Sequence, residues 1–313
     1  VKNQMRLRNL QHVLGLVLAW LMLSATPAWA DTPEPPGAVI ETIRLGALDL
    51  KARHVRPPGA GLDTILLVHD TLGGFDATLV TELQTALAEK GLSTLAINLS
   101  FAVSERLTAY ECNNRHRHRH EDAIEEIDAW VSWLQGQGLG PVALAGHGRG
   151  GAQVAWYLAK TGQKRVAGAV LLAPSGWTPR TADAEYRARY TNGIAALLTR
   201  IASFKPDDFI DNVPFLHCGS VVATRASINS YYGVEPMRDT PTALENVKTP
   251  VLTLLPDPLS DNDDVTKRLS AIKNQYLSVR PIAGADAQFA ADALPVVVTA
   301  IEAYLKSLKP AQK

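Results

Sequence analysis

The sequence is short of three things, and each shortage excludes something. It has no excess charge: 31 Lys and Arg stand against 31 Asp and Glu. A balanced chain offers no basic surface for nucleic acid or acidic lipid, so no nucleic-acid partner is expected. It has a single long apolar run, near its start, so no stable membrane insertion is expected once that run is removed. It has only two cysteines, Cys112 and Cys218. They form either one bridge or a pair of buried thiols.

The first thirty residues read as an address. Lys2, Arg6 and Arg8 precede an apolar run from Val13 to Leu23, and Ala-Trp-Ala follows at 28–30. That is the pattern of a secretory signal peptide over 1–30, cleaved after Ala30. No neighbouring cysteine offers a lipid anchor, and there is no twin arginine. Export is therefore expected, to a periplasmic or extracellular location where disulfides persist. Cleavage removes three basic residues and no acidic ones, so the net charge falls from 0 to −3.

Beyond the leader, Pro-rich 31–40 reads as a flexible N-terminal arm. Strand-like runs follow at 41–46 and 49–55. TILLVHD (64–70) is almost continuously apolar, as a strand covered on both faces should be. A helix is predicted over 76–90, with Leu79, Val80, Leu83 and Leu87 on one face, and Gly91 stops it. A second helical stripe runs through Ile124, Ile127, Trp130, Val131 and Leu134. Further strands are predicted at 93–100, 141–146, 166–174, 250–255 and 277–282. Helices are predicted at 151–161 and from Pro295 to Leu308. This alternation predicts an α/β fold, a mostly parallel sheet with helices on both faces. The core is expected over 41–175 and 250–313. Segment 176–249 breaks the rhythm and is predicted to be a helical cap or lid inserted over the sheet's C-terminal edge.

Three stretches carry a family resemblance. LAGHGRGG (144–151) lies between a strand and a helix and resembles a nucleophile elbow, G-x-S-x-G. VHDTLGG (68–74) resembles the oxyanion loop after the third strand, and GADAQF (284–289) resembles the late segment that carries a catalytic histidine. In this order they resemble the α/β-hydrolase fold. CNNRHRHRHEDAIEEIDAW (112–130) and SYYGVEPMRDTP (230–241) further resemble a bacterial hydrolase-like group with a C…HRHRxED segment.

The departures from that pattern carry the functional expectation. The elbow's serine is Gly148, the late histidine is Ala287, and the glycine after the oxyanion-loop histidine is Asp70. Candidates for the remaining acid are Asp257, Asp261, Asp263 and Asp264, with Asp261 favoured. Acyl transfer on this scaffold needs a hydroxyl and an imidazole, and neither glycine nor alanine supplies one. A catalytically degenerate pseudohydrolase is therefore expected, without a cofactor, binding a small acyl or anionic ligand or a protein partner. Glycine at 148 relieves the strain of the elbow's backbone. The amides of Arg149 and of Asp70 or Thr71 are expected to attract an anion into the vacated space, although an inward Asp70 carboxylate would oppose it. His69, His147 and Ser175 are expected at the pocket.

Two alternatives remain at this stage. One is an active esterase with a relocated nucleophile, Ser175 or Thr71, and His69 as base. The other is a metal site on His116, His118 and His120: His116 and His120 share a helix face at i, i+4, and His118 joins only if the segment is not helical. Without a metal, the same run reads as a polar helix entrance at the active-site rim. Tyr231 and Tyr232 line the cap pocket or pack its core, and Trp156 and Tyr157 read as core.

Overall fold

The computed structural model describes residues 33–61, 63–161, 165–257 and 264–308. The expected leader, its cleavage site after Ala30, and the candidates Asp261 and Asp263 lie outside the described residues. The chain begins with a hairpin, β1 (Ala38–Leu45) and β2 (Leu48–Val55), followed by β3 (Thr64–Val68), α1 (Thr78–Glu89), β4 (Ser93–Ile97) and the two-residue β5 (Arg115–His116). Then come α2 (Asp122–Gly136), β6 (Val142–His147), α3 (Gly148–Thr161) and β7 (Gly168–Leu172). After β7 lie α4 (Pro179–Arg189), α5 (Ile194–Ile201), β8 (Phe209–Phe215), β9 (Cys218–Thr224), α6 (Arg225–Tyr232), a 3-10 turn at Pro236–Arg238 and α7 (Thr240–Leu244). The chain closes with β10 (Val251–Leu255), α8 (Asp264–Ala271), β11 (Leu277–Pro281) and α9 (Ala293–Leu308).

The main sheet has the order β1-β2-β4-β3-β6-β7-β10-β11. It is antiparallel at β1-β2 and β2-β4 and parallel from β4 onward. β3, β4, β6, β7 and β10 are buried at every residue, which is why their sequences run apolar instead of alternating. Alternate side chains feed two cores. Leu66 and Val68 pack with Ile127, Trp130 and Val154 of α2 and α3. Ile65 and Leu67 pack with Leu83, Leu87, Val297 and Ile301 of α1 and α9. Burying each such aliphatic side chain contributes about 1.5–3 kcal/mol.

Three sequence expectations are corrected here. The N-terminal arm does not reach residue 40, because β1 already begins at Ala38 and pairs with β2 along its whole length. The segment between β7 and β10 is not purely helical: β8 and β9 form an antiparallel hairpin, and β9 pairs in parallel with β5. The HRHRH run leads into α2 as expected, but it is not a polar rim. It is extended, with His116, His118 and His120 buried and Arg117 and Arg119 exposed, the period-two pattern of a strand. Cys112 and Cys218 are joined by a disulfide, which ties the loop before β5 to the first residue of β9.

Candidate active site

β6 ends at His147 and α3 begins at the next residue, so the turn between them is as sharp as an elbow requires. Gly148 has φ +53°, a conformation that costs an L-residue about 1–2 kcal/mol and glycine almost nothing. At Gly150 the reason for glycine differs: a Cβ there would press into the Val68 and His69 carbonyls, so the helix start lies against the end of β3.

That close approach brings Asp70 to the elbow. A Cβ built on Gly148 would fall 2.7 Å from Asp70 Oδ2, and nearer still to Oδ1 and Cγ. The carboxylate thus fills the space that a nucleophile's side chain would need. The Arg149 amide donates to Asp70 Oδ1 at 2.7 Å, and the Thr71 hydroxyl donates to the same oxygen at 3.1 Å. Arg149 Nε–H in turn donates to Thr71 Oγ1 at 3.0 Å. Burial by itself would raise the Asp70 carboxyl. His147 and the amides of Arg149 and Thr71 outweigh burial and hold it below the ordinary carboxylate range. The expected seat for an incoming anion is therefore taken by the chain's own carboxylate, which corrects that expectation.

Ala287 faces the same space. His147 Nε2–H donates to the Ala287 carbonyl at 2.8 Å, and Ala287 lines the cavity along with Asp70 and Arg149. Among the acid candidates, Asp257 holds the loop that carries Ala287: its Oδ2 accepts from Gly284 N–H at 2.9 Å, and its own amide donates to Ala285 O. Asp264 is committed elsewhere, to Arg180 at 3.1 Å and Arg268 at 2.8 Å.

His69 is not a base. Its Nε2 accepts from the Leu99 amide at 3.2 Å and lies 3.0 Å from Arg106 Nη2. That leaves Nδ1–H to donate to the Asp70 carbonyl at 2.7 Å. Burial and the adjacent Arg106 push its pKa down to about 3, so it is a neutral, fully engaged spacer. Thr71 is equally committed, through both lone pair and proton. Ser175 does line the cavity, and its amide donates to Gly148 O at 2.9 Å.

The three histidines of the HRHRH run do not converge on one point. His116 Nδ1 lies 3.1 Å from His118 Nε2, and His118 Nδ1 lies 2.9 Å from the Tyr231 hydroxyl, so they form a file. His120 stacks on Tyr231 at 5.4 Å. Burial depresses all three pKa values, that of His116 to about 4. Among the described residues, the set whose ligand atoms do approach one another is Cys112, His217 and Cys218, and its two sulfurs are bonded together. The expected metal reading of His116, His118 and His120 is therefore not supported by their geometry.

Above the elbow is a cavity of about 480 Å³. Its floor is Asp70, Thr71, Arg149 and Ser175, and the segment between β7 and β10 supplies walls from Trp177, Arg189, His217 and Tyr232. Sequence reading missed Trp177, Arg189 and His217. Only the interruption of the α/β rhythm marked their region, and nothing local singled them out.

The chain was compared with known proteins. Residues 65–300 match the model of a family described as the alpha/beta hydrolase family. No curated protein matches the sequence. Among solved structures, Est1E from Butyrivibrio proteoclasticus is similar at 15% identity and a TM-score of 0.59, over 86% of this chain and 98% of that one. A soluble variant of monoglyceride lipase from Saccharomyces cerevisiae gives 13% and 0.59, over 89% and 100%. A monoacylglycerol lipase from Paleococcus ferrophilus gives 18% and 0.58, over 84% and 100%. At these identities the likeness is one of fold.

Proposed function

The chain belongs to the alpha/beta hydrolase family, and we propose that it is a catalytically silent member that binds a small ligand in the cavity over the elbow. The observation that carries this reading is the placement of Asp70. A substrate carbonyl entering the cavity would meet a carboxylate where the family presents a hydroxyl. The Arg149 amide, which would otherwise stabilise the developing oxyanion, already donates to Asp70 Oδ1 at 2.7 Å. A fixed negative charge there also repels that oxyanion. With no side chain at Gly148 and a methyl group at Ala287, the two positions that would carry nucleophile and base hold no atom for attack or proton transfer.

Binding needs none of these atoms. The cavity's volume of about 480 Å³ falls within the range of small-molecule sites. Its rings and polar groups, Trp177, Tyr232, Arg189 and Ser175, suit a ligand with an apolar body and a polar end. Export to an oxidising compartment is part of the same proposal, supported by the leader-like start of the sequence and the Cys112–Cys218 disulfide.

The test is turnover of p-nitrophenyl acetate and butyrate. The wild-type chain is expected to give background rates. The triple variant Asp70→Gly, Gly148→Ser, Ala287→His empties the seat and returns nucleophile and base, so it is expected to exceed wild type by about 100-fold or more. Saturable wild-type turnover that survives Asp70→Asn would refute the silent reading.

A further inference from the structure

We propose that Arg238 and Trp177 form a buried binding site for a monovalent anion of halide size. The site lies behind the cavity wall, and the proposal is independent of whether the elbow is silent. It uses a sequence segment that the elbow does not, EPMRD (235–239).

Arg238 is 1% exposed, and none of its three guanidinium nitrogens has a hydrogen-bond partner among the described residues. The guanidinium lies 4.3 Å above the Trp177 ring, and the Trp177 Nε1–H is itself buried without an acceptor. His120, stacked on Tyr231 at 5.4 Å, is also 1% exposed, with both ring nitrogens unpartnered. Burial lowers Arg238 only to about 10, so it keeps its charge at neutral pH. An unpaired buried cation is costly, and stacking on an aromatic face offsets only part of that cost.

The carboxylates nearby do not complete the pairing. Glu121 and Glu235 both favour the Arg238 charge at a distance. Glu121, however, accepts from Ser230 Oγ at 2.7 Å, and Glu235 accepts from the Met237 amide at 3.0 Å. Arg149 adds a second positive charge to the surroundings. Asp239, whose Oδ1 accepts from the Trp177 amide at 2.9 Å, is held by Arg268 at 2.6 Å. The Arg238 guanidinium and the Trp177 Nε1–H are thus left as buried donors without a partner among the described residues, which is the chemistry of an anion site. The atoms are sealed from solvent, so the ion must be small. Trp177 and Tyr231 also line the 480 Å³ cavity.

The test compares chloride with gluconate at matched ionic strength and pH, with melting temperature as the readout. Chloride is expected to raise the wild-type midpoint saturably, by about 3 °C. Arg238→Gln is expected to abolish the increment. Trp177→Phe, which keeps the ring and removes the N–H, is expected to shift half-saturation several-fold higher. Should Arg238→Gln not fold, wild-type crystals soaked in bromide decide the matter: an anomalous peak is expected within hydrogen-bond distance of Arg238. Equal midpoints in the two salts, an increment unchanged in Arg238→Gln, or no bromide at Arg238 would overturn the proposal.

Discussion

Gly148→Ala isolates the contact on which the silent reading rests. The new Cβ must occupy space held by the Asp70 carboxylate. The carboxylate must swing away, losing charge-assisted hydrogen bonds from the Arg149 amide and the Thr71 hydroxyl. That loss costs about 1.5–3 kcal/mol. Alanine at φ +53° adds about 1–2 kcal/mol. The single substitution should therefore cost about 2.5–5 kcal/mol, or about 10 °C in melting temperature for a chain of this size. In an Asp70→Ala background the displaced group no longer exists, and only the backbone term of about 1–2 kcal/mol should remain. Urea denaturation of the four proteins in this cycle should give a coupling of about 1.5–3 kcal/mol. An equal cost of Gly148→Ala in both backgrounds would show that Asp70 does not fill the seat in solution.

Other outcomes follow from neighbouring groups. Glu126 is buried, accepts from the Ser100 amide and hydroxyl, and is pushed up by burial to about 7. Its folded pKa exceeds its unfolded one, so the native state holds the extra proton, and stability should decline as pH rises from about 4.5 to 7. Glu126→Gln should flatten that decline, an effect of about 2–4 kcal/mol across the window. Asp70 has the opposite sign. Its depressed pKa gives stability that is present above its unfolded value and lost as pH falls through the folded one, and Asp70→Asn should remove this acid-side loss in a pH series of denaturation curves. Cys112→Ser should cost about 3–5 kcal/mol by the same measurement, since the bridge closes a loop between residues 106 apart in sequence.

The parts of the fold that could be read from sequence are those whose burial is a local pattern. TILLV (64–68) is apolar at every residue except its first because both faces of β3 are covered. The stripe from Ile124 to Leu134 packs as its spacing implies, with each member at most 3% exposed. The hairpin β8–β9 escaped because its pairing is irregular, with register shifts between Ile210 and Val213 and between Val213 and Phe215 that break the local alternation, and because β9's other partner, β5, lies about a hundred positions away. The alternation in HRHRH did carry a signal of period two. The polarity of histidine hid it, because inward-facing imidazoles do not read as an apolar face. At the candidate site, Gly148 and Ala287 were visible as absences and Asp70 as a misfit. What the sequence could not supply is the direction of the Asp70 side chain, which is set by how closely the end of β3 approaches the start of α3.

Fluorophosphonate labelling of the intact wild-type chain, mapped by mass spectrometry, tests the silence of the elbow most directly. Fluorophosphonates report a hydroxyl made nucleophilic by a nearby base. We expect no adduct anywhere in the wild type and an adduct at position 148 in the Asp70→Gly, Gly148→Ser, Ala287→His variant. Stoichiometric labelling of the wild type at Ser175, or at any other hydroxyl lining the cavity, would contradict the account.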